Sequence, residues 1–87
     1  MNLYLISQNE NKNYDTYDSA VVVAISPKRA CRIHPRSVHE KAVVYLEEKE
    51  DFGGTWADYA KDVTFEFLGK ARNGMKEQVI CASFNAG

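Results

Sequence analysis

Two cysteines are too few to staple a disulfide scaffold, and in a chain without an export signal Cys31 and Cys81 read as buried thiols. The opening MNLYLISQNENK holds an apolar run of only four residues, with no basic lead and no small-residue cleavage site, so it does not read as a secretory signal. No apolar stretch approaches the ~18 residues of a membrane span. Cytoplasmic placement without membrane contact is the expectation. Charge of one sign is missing too: eleven basic side chains stand against twelve acidic ones, for a net charge of -1. No global field therefore draws the chain to nucleic acid or an anionic membrane, and any such binding must be local. Glycine is sparse, and Gly53-Gly54 stands alone, so neither a phosphate-cradling loop nor a dinucleotide fingerprint is present. The G-x-S-x-G nucleophile elbow is absent as well.

What is present is a chain of 87 residues, 45% hydrophobic and 26% charged, with no low-complexity tract or linker. These values suit one folded domain spanning residues 1-87. Residues 3–8, LYLISQ, alternate as a first strand does, and 19–25, SAVVVAI, are rich in β-branched side chains and apolar on both faces, as in a central strand. The smaller even face of that second strand, Ala20, Val22 and Ala24, is where a helix can approach closely. Ser26-Pro27 signals a helix start, and Pro35 stops the helix near His34.

Residues 37–51, SVHEKAVVYLEEKED, support two readings. Ser37 with Glu40 makes a capping-box pattern, and Val38, Ala42, Tyr45 and Leu46 share a helical face. Val-Val-Tyr also favours extended structure. The helical reading over 38–48 is preferred, followed by a loop in which Gly53-Gly54 turns the chain and Trp56 pins it to the core. Downstream, DVTFEFLG and QVICASF flank Asn73-Gly74, the strongest short hairpin signal. A hairpin there places Phe67 opposite Ile80, Phe65 opposite Ala82 and Val63 opposite Phe84 on an apolar face. Thr64 then meets Ser83, Glu66 meets Cys81 and Leu68 meets Val79 on the other. The predicted architecture is α+β: a four-stranded, mainly antiparallel sheet with one or two helices on one face, in the order β-β-α-(α)-β-β. An open face would also allow a homodimer.

Chemistry-bearing residues are few. Cys31, His34, His39 and Cys81 offer four zinc-type ligands, but their spacing matches no structural zinc pattern. Asp15 and Asp18 lack the glycine and the distant glutamate of a calcium loop. No metal or cofactor is expected. Cys31 and His34, three apart, would suit a small Cys/His hydrolase if the imidazole lowered the thiol pKa. The bland reading is a packed thiol and a helix-terminal imidazole. The run PKRACRIHPR holds Lys28, Arg29, Arg32 and Arg36, four of the eleven positive residues. On a helix continuing over 27–36, Lys28, Arg32 and Arg36 share one side, which suits a nucleic-acid or acidic-protein contact as well as a solvated face. The acidic segment EEKED (Glu47 to Asp51) reads as a solvated face.

The connection NENKNYDTYDS (Asn9 to Ser19) puts eleven residues between two neighbouring strands, where hairpins usually need two to five. Tyr supplies contact area at low entropic cost, and Asp and Asn add directional and adaptable acceptors. Tyr14, Asp15, Tyr17 and Asp18 are the candidate partner-binding residues, with Arg29, Arg32 and Arg36 as a second patch. The competing reading lets both Asp cap turns while the Tyr rings cover the sheet edge.

LYLISQN, YDTYDSAVV, the short helix ending IHP, the V-x-x-x-x-L-G strand and the terminal VICASFNAG together resemble a family of small phage- and prophage-encoded proteins of unknown function. The similarity covers residues 1–35 and 62–87, and YDTYDS and SFNAG are its specific motifs; residues 37–59 match poorly. The resemblance implies an accessory protein of the bacterial host cytoplasm. The expected function is non-enzymatic binding and modulation of a host or phage protein, as an inhibitor of host defence for example. The rival readings are the nucleic-acid module and the small hydrolase.

Overall fold

A computed structural model describes residues 1–10, 14–46 and 55–85. The acidic segment Glu47–Asp51 and the Gly53-Gly54 turn of the sequence reading lie outside the described residues. Four strands, β1 (Asn2–Gln8), β2 (Thr16–Ala24), β3 (Val63–Lys70) and β4 (Gln78–Asn85), form one sheet in the order β3-β1-β2-β4, antiparallel throughout. The expected α+β class is what the chain adopts. Between β2 and β3 lie a four-residue helix, α1 (Pro27–Ala30), and two 3-10 turns, Pro35–His39 and Ala60–Asp62. Among the described residues no helix is long and apolar enough to cross a membrane.

The Asn73-Gly74 hairpin does not form between the last two strands. Gly74 does turn, at φ 88, and Met75 N–H donates to the Arg72 carbonyl. Yet β3 lies against β1 and β4 against β2, at opposite edges of the sheet. Residues 71–77 therefore cross from one edge to the other, with Ala71 N–H donating to the Met1 carbonyl on the way. The physical reason lies in β1 and β2. Both are apolar enough to need neighbours on each side, because a central strand must pair its backbone in both directions. Phe67, Phe65 and Val63 face Tyr4, Ile6 and Gln8, while Phe84, Ala82 and Val79 face Tyr17, Ala20 and Val22. The residues expected on one apolar face share it, but through other partners, except Ile80. That residue drops out of the ladder where the pairing shifts between Val21 and Val22.

Above this face sits the core: Tyr4, Ile6, Tyr17, Ala20, Val22 and Ala24 from the sheet, and Ala30, Ile33, Leu46, Trp56 and Ala57 from the cover. The small even face of β2 receives α1, as its side chains suggested, and Ala30 packs there with no exposed surface. Ser26 caps α1 by accepting from Arg29 N–H at 3.2 Å, with Pro27 in the first turn. The helix is shorter than the sequence reading: it ends at Ala30, and His34 is already extended, at φ -84 and ψ 130. Pro35 disfavours helical geometry in the residue before it. Lys28, Arg32 and Arg36 consequently do not share a helical side.

The helix expected over 38–48 is replaced, over its described residues 38–46, by a turn and a ribbon. After the 3-10 turn, Ile33 and Tyr45 form an antiparallel bridge, His34 N–H donating to Val44 O at 2.8 Å and Leu46 N–H to Arg32 O at 2.5 Å. The β-branched pair Val43-Val44 takes its extended option here. Ser37 staples the ribbon: its hydroxyl donates to His34 O at 2.6 Å and accepts from Val44 N–H at 2.8 Å. That serine serves a loop rather than a capping box, and Glu40 pairs with Arg36. Trp56 is buried in the core as expected.

Among the described residues the sheet's other face presents Leu5, Ser19, Val21, Cys81 and Ser83 along a shallow groove. Ile6, fully buried, and Leu68, 45% exposed, bracket the energetic contrast. Ile6→Ala is expected to lower the unfolding free energy by about 3 kcal/mol, and Leu68→Ala by less than about 0.5 kcal/mol. Urea denaturation of both variants checks this.

Candidate protein-binding surface

The connection between β1 and β2 is shorter than it reads, because β2 begins at Thr16. Thr16 and Tyr17 pair with Asn85 and Phe84, and Ser19 pairs with Ser83. The segments 16–19 and 83–85, far apart in sequence, thus lie side by side. Asp15 sits in the left-handed region, at φ 63, which Asp tolerates better than most residues. Its N–H donates to Asn85 O at 2.5 Å. Gln8 braces the same end from beneath: its Nε2 donates to Tyr17 O at 3.0 Å and its Oε1 accepts from Glu10 N–H at 2.7 Å. Tyr17 N–H donates to Thr55 O at 2.8 Å, fastening the cover here.

Tyr17 itself is not a surface residue. It is 6% exposed, its ring edge-on to His34 at 6.2 Å and tilted against Phe84 at 4.8 Å. As the partner-contact residue of the sequence reading it is corrected to an anchor: the register shift at Asp18 interrupts the alternation along β2 and puts Tyr17 on the same face as Ala20 and Val22, in the core. Tyr14 is 75% exposed, Asp15 and Asp18 are exposed, and Asp18 stands out where the β2–β4 register skips a residue. Phe84, 44% exposed, adds an apolar element that sequence reasoning placed elsewhere, opposite Val63.

The arginine patch is drawn inward. Arg29 grips Glu77 with two bonds, Nε to Oε2 at 3.2 Å and Nη2 to Oε1 at 2.8 Å. Its guanidinium lies 4.7 Å from the centre of the Tyr45 ring, whose hydroxyl also donates to Glu77. The hydrogen bond that Arg29 donates to Glu77 raises the Arg29 pKa and lowers that of Glu77. Burial pushes up the Tyr45 hydroxyl, aided by Glu77. This cluster clips α1 and the ribbon to the crossing segment 71–77, a role that Glu77 and Tyr45 did not advertise in sequence. Arg36 pairs with Glu40 at 2.9 Å, and Arg32 is half-buried. The three do not form a shared cationic face on one helix.

Cys31 and His34 are both in the core. The thiol donates to Val63 O at 3.6 Å, and burial raises its pKa, opposite to what a thiolate nucleophile requires. His34 Nδ1 accepts from Arg36 N–H at 3.0 Å, which makes it the unprotonated nitrogen of a neutral ring. Burial, with Arg36 as a smaller repulsion, lowers its pKa to about 4. Cys81 lies exposed on the strand β4, away from Cys31 in the core, and no group of three or more His, Cys, Asp or Glu among the described residues is placed to hold a metal.

Comparison with protein-family models, with characterised proteins and with solved structures finds no match to the chain.

The buried imidazole makes stability depend on pH. His34 stays neutral in the fold down to about pH 4, whereas an unfolded histidine takes up its proton near 6.5. The unfolded chain thus binds the extra proton first as pH falls, and stability present above pH 6.5 is lost progressively toward pH 4. The expected loss is about 3 kcal/mol by linkage. Urea titrations at pH 7 and at pH 4.5 measure it, and His34→Phe should flatten the dependence.

Proposed function

We propose that this chain is a small non-enzymatic module of a phage or prophage, working in the bacterial cytoplasm, that binds a host or phage protein and modulates it. Inhibition of a host defence protein is the form of modulation that its phage-type resemblance suggests. The contact is made by the Tyr14–Asp18 end of β2, with Tyr14, Asp15 and Asp18 meeting the partner beside Phe84. One observation carries this reading: Asp15 is tied to Asn85 and Tyr17 is locked between Phe84 and His34, so an exposed aromatic and two exposed carboxylates stand on backbone that is already ordered. Side chains presented in that way lose little entropy on binding, which is what makes a tyrosine-rich surface effective in recognition.

The same frame accounts for the other candidates. Arg29 and Arg36 are held by Glu77 and Glu40, so a phosphate backbone would have to compete with carboxylates already in place. The Cys31 thiol is poised toward its protonated form. Neither arrangement supports the nucleic-acid or hydrolase reading as well as the β2 end supports protein binding.

Affinity capture from bacterial host lysate, with the wild type compared against Tyr14→Ala combined with Asp18→Asn, tests the assignment. The double variant is expected to keep its melting temperature and to recover the specific partner at least about tenfold less efficiently, the size of effect expected for loss of a central aromatic and a charged contact. Equal recovery by both proteins would count against the surface.

A further inference from the structure

The sheet has two outer edges, and they are built differently. Along β4 the pairing shifts twice, between Tyr17 and Ser19 and again between Val21 and Val22. Irregularities of this kind blunt an edge against further pairing. Along β3 the ladder is regular from Val63 to Phe67, opposite Gln8 to Tyr4, and its only shift falls beyond, at Leu68. This straight stretch contains no proline and a single charge, Glu66. Phe65 and Phe67 rest one side of their rings against Tyr4, at 6.2 and 5.9 Å, and leave 52% and 56% of their surface exposed. A regular edge that no described strand pairs, beside two half-exposed aromatic rings, is the arrangement that strand addition completes.

We propose that a second copy of this chain occupies that edge, its β3 running antiparallel to the first about a two-fold axis at Phe65. The strand is complementary to itself in this register. Phe65 meets Phe65 of the second copy, and Val63 meets Phe67 on either side, so the face that carries the rings remains wholly apolar. On the opposite face Thr64 meets Glu66, a hydroxyl against a carboxylate. Moving the axis to Glu66 would oppose two carboxylates directly, which is unfavourable across a strand pair. Moving it to Phe67 would set Phe65 against Gly69 and run the Leu68 irregularity into the new ladder. A foreign strand gains nothing from this internal symmetry, whereas an isologous pair uses every favourable contact twice. Since β3 and β4 are opposite edges, the dimer leaves the Tyr14 and Phe84 end of each copy accessible and carries two such ends facing outward.

Sedimentation velocity from low to several hundred micromolar protein tests the pairing. The wild type is expected to pass from monomer to dimer across that range. Phe65→Lys should raise the dimer dissociation constant at least about tenfold, since the loss is counted in both copies, while Phe84→Lys on the other edge leaves it unchanged. The register is read separately in a Cys81→Ser background under mild oxidation. There Phe65→Cys should form a covalent dimer, because facing Cβ atoms lie about 5 Å apart, and Thr64→Cys should not, because it faces Glu66. That readout also decides the matter if Phe65→Lys fails to fold. A wild type that stays monomeric throughout, a dimer that Phe84→Lys breaks and Phe65→Lys does not, or cross-linking at Thr64→Cys in preference to Phe65→Cys would each overturn the proposal.

Discussion

β1 and β2 lie side by side at the centre of the sheet, and each has backbone donors and acceptors pointing away from the other. Buried strands cannot leave those groups unpaired, because each lost hydrogen bond in a dry environment costs on the order of 1–3 kcal/mol. Most of the architecture follows from this need. It draws β3 to the outside of β1 and β4 to the outside of β2, and obliges residues 71–77 to cross between the two edges. The segment between β2 and β3 then has to travel the length of the sheet, since those two strands run in the same direction on either side of β1. In doing so it lays α1, the Ile33–Tyr45 ribbon and Trp56 over one face.

Among the described residues that covering layer has little regular secondary structure, so it depends on individual side chains. Ser37 holds the ribbon together, His34 accepts from Arg36 N–H, and Thr55 receives Tyr17 N–H. Glu77 gathers Arg29 and Tyr45 and so binds the crossing segment to the cover. The buried neutral imidazole is part of the same economy of space. It fills a gap between Tyr17 and Trp56 that an aliphatic side chain of equal size would fill without its pH dependence.

The binding surface proposed at the β2–β4 end is a consequence of the topology as well. Tyr14 and Asp15 would belong to an unrestrained loop if β4 paired with β3. With β4 beside β2, Asn85 and Phe84 reach that loop and hold it. The opposite edge is regular from Val63 to Phe67 and is where the chain would meet its own copy. On these two proposals one sheet would carry a recognition surface at one border and a pairing surface at the other.

The amino-acid sequence alone determined the local features: two apolar strands with the small face of β2 toward a helix, the Ser26-Pro27 start, the stop before Pro35, and a segregation of apolar from polar side chains along β3 and β4. These follow from dihedral preferences and from periodicities that each residue carries with it. Which strand lies beside which was decided only by the tertiary structure. Asn73-Gly74 turns the chain whether or not its flanking strands meet, so the dipeptide could not reveal that the two central strands compete for them more strongly. The segment 37–46 is the same case, its helical and extended tendencies being close in energy until Arg32 O, His34 N–H and the Ser37 hydroxyl offered hydrogen bonds that only the extended form can meet. Tyr17 likewise read as a surface ring, and the register with Phe84 turned it inward. Pairing energy is shared between residues distant in sequence, and no local pattern records it.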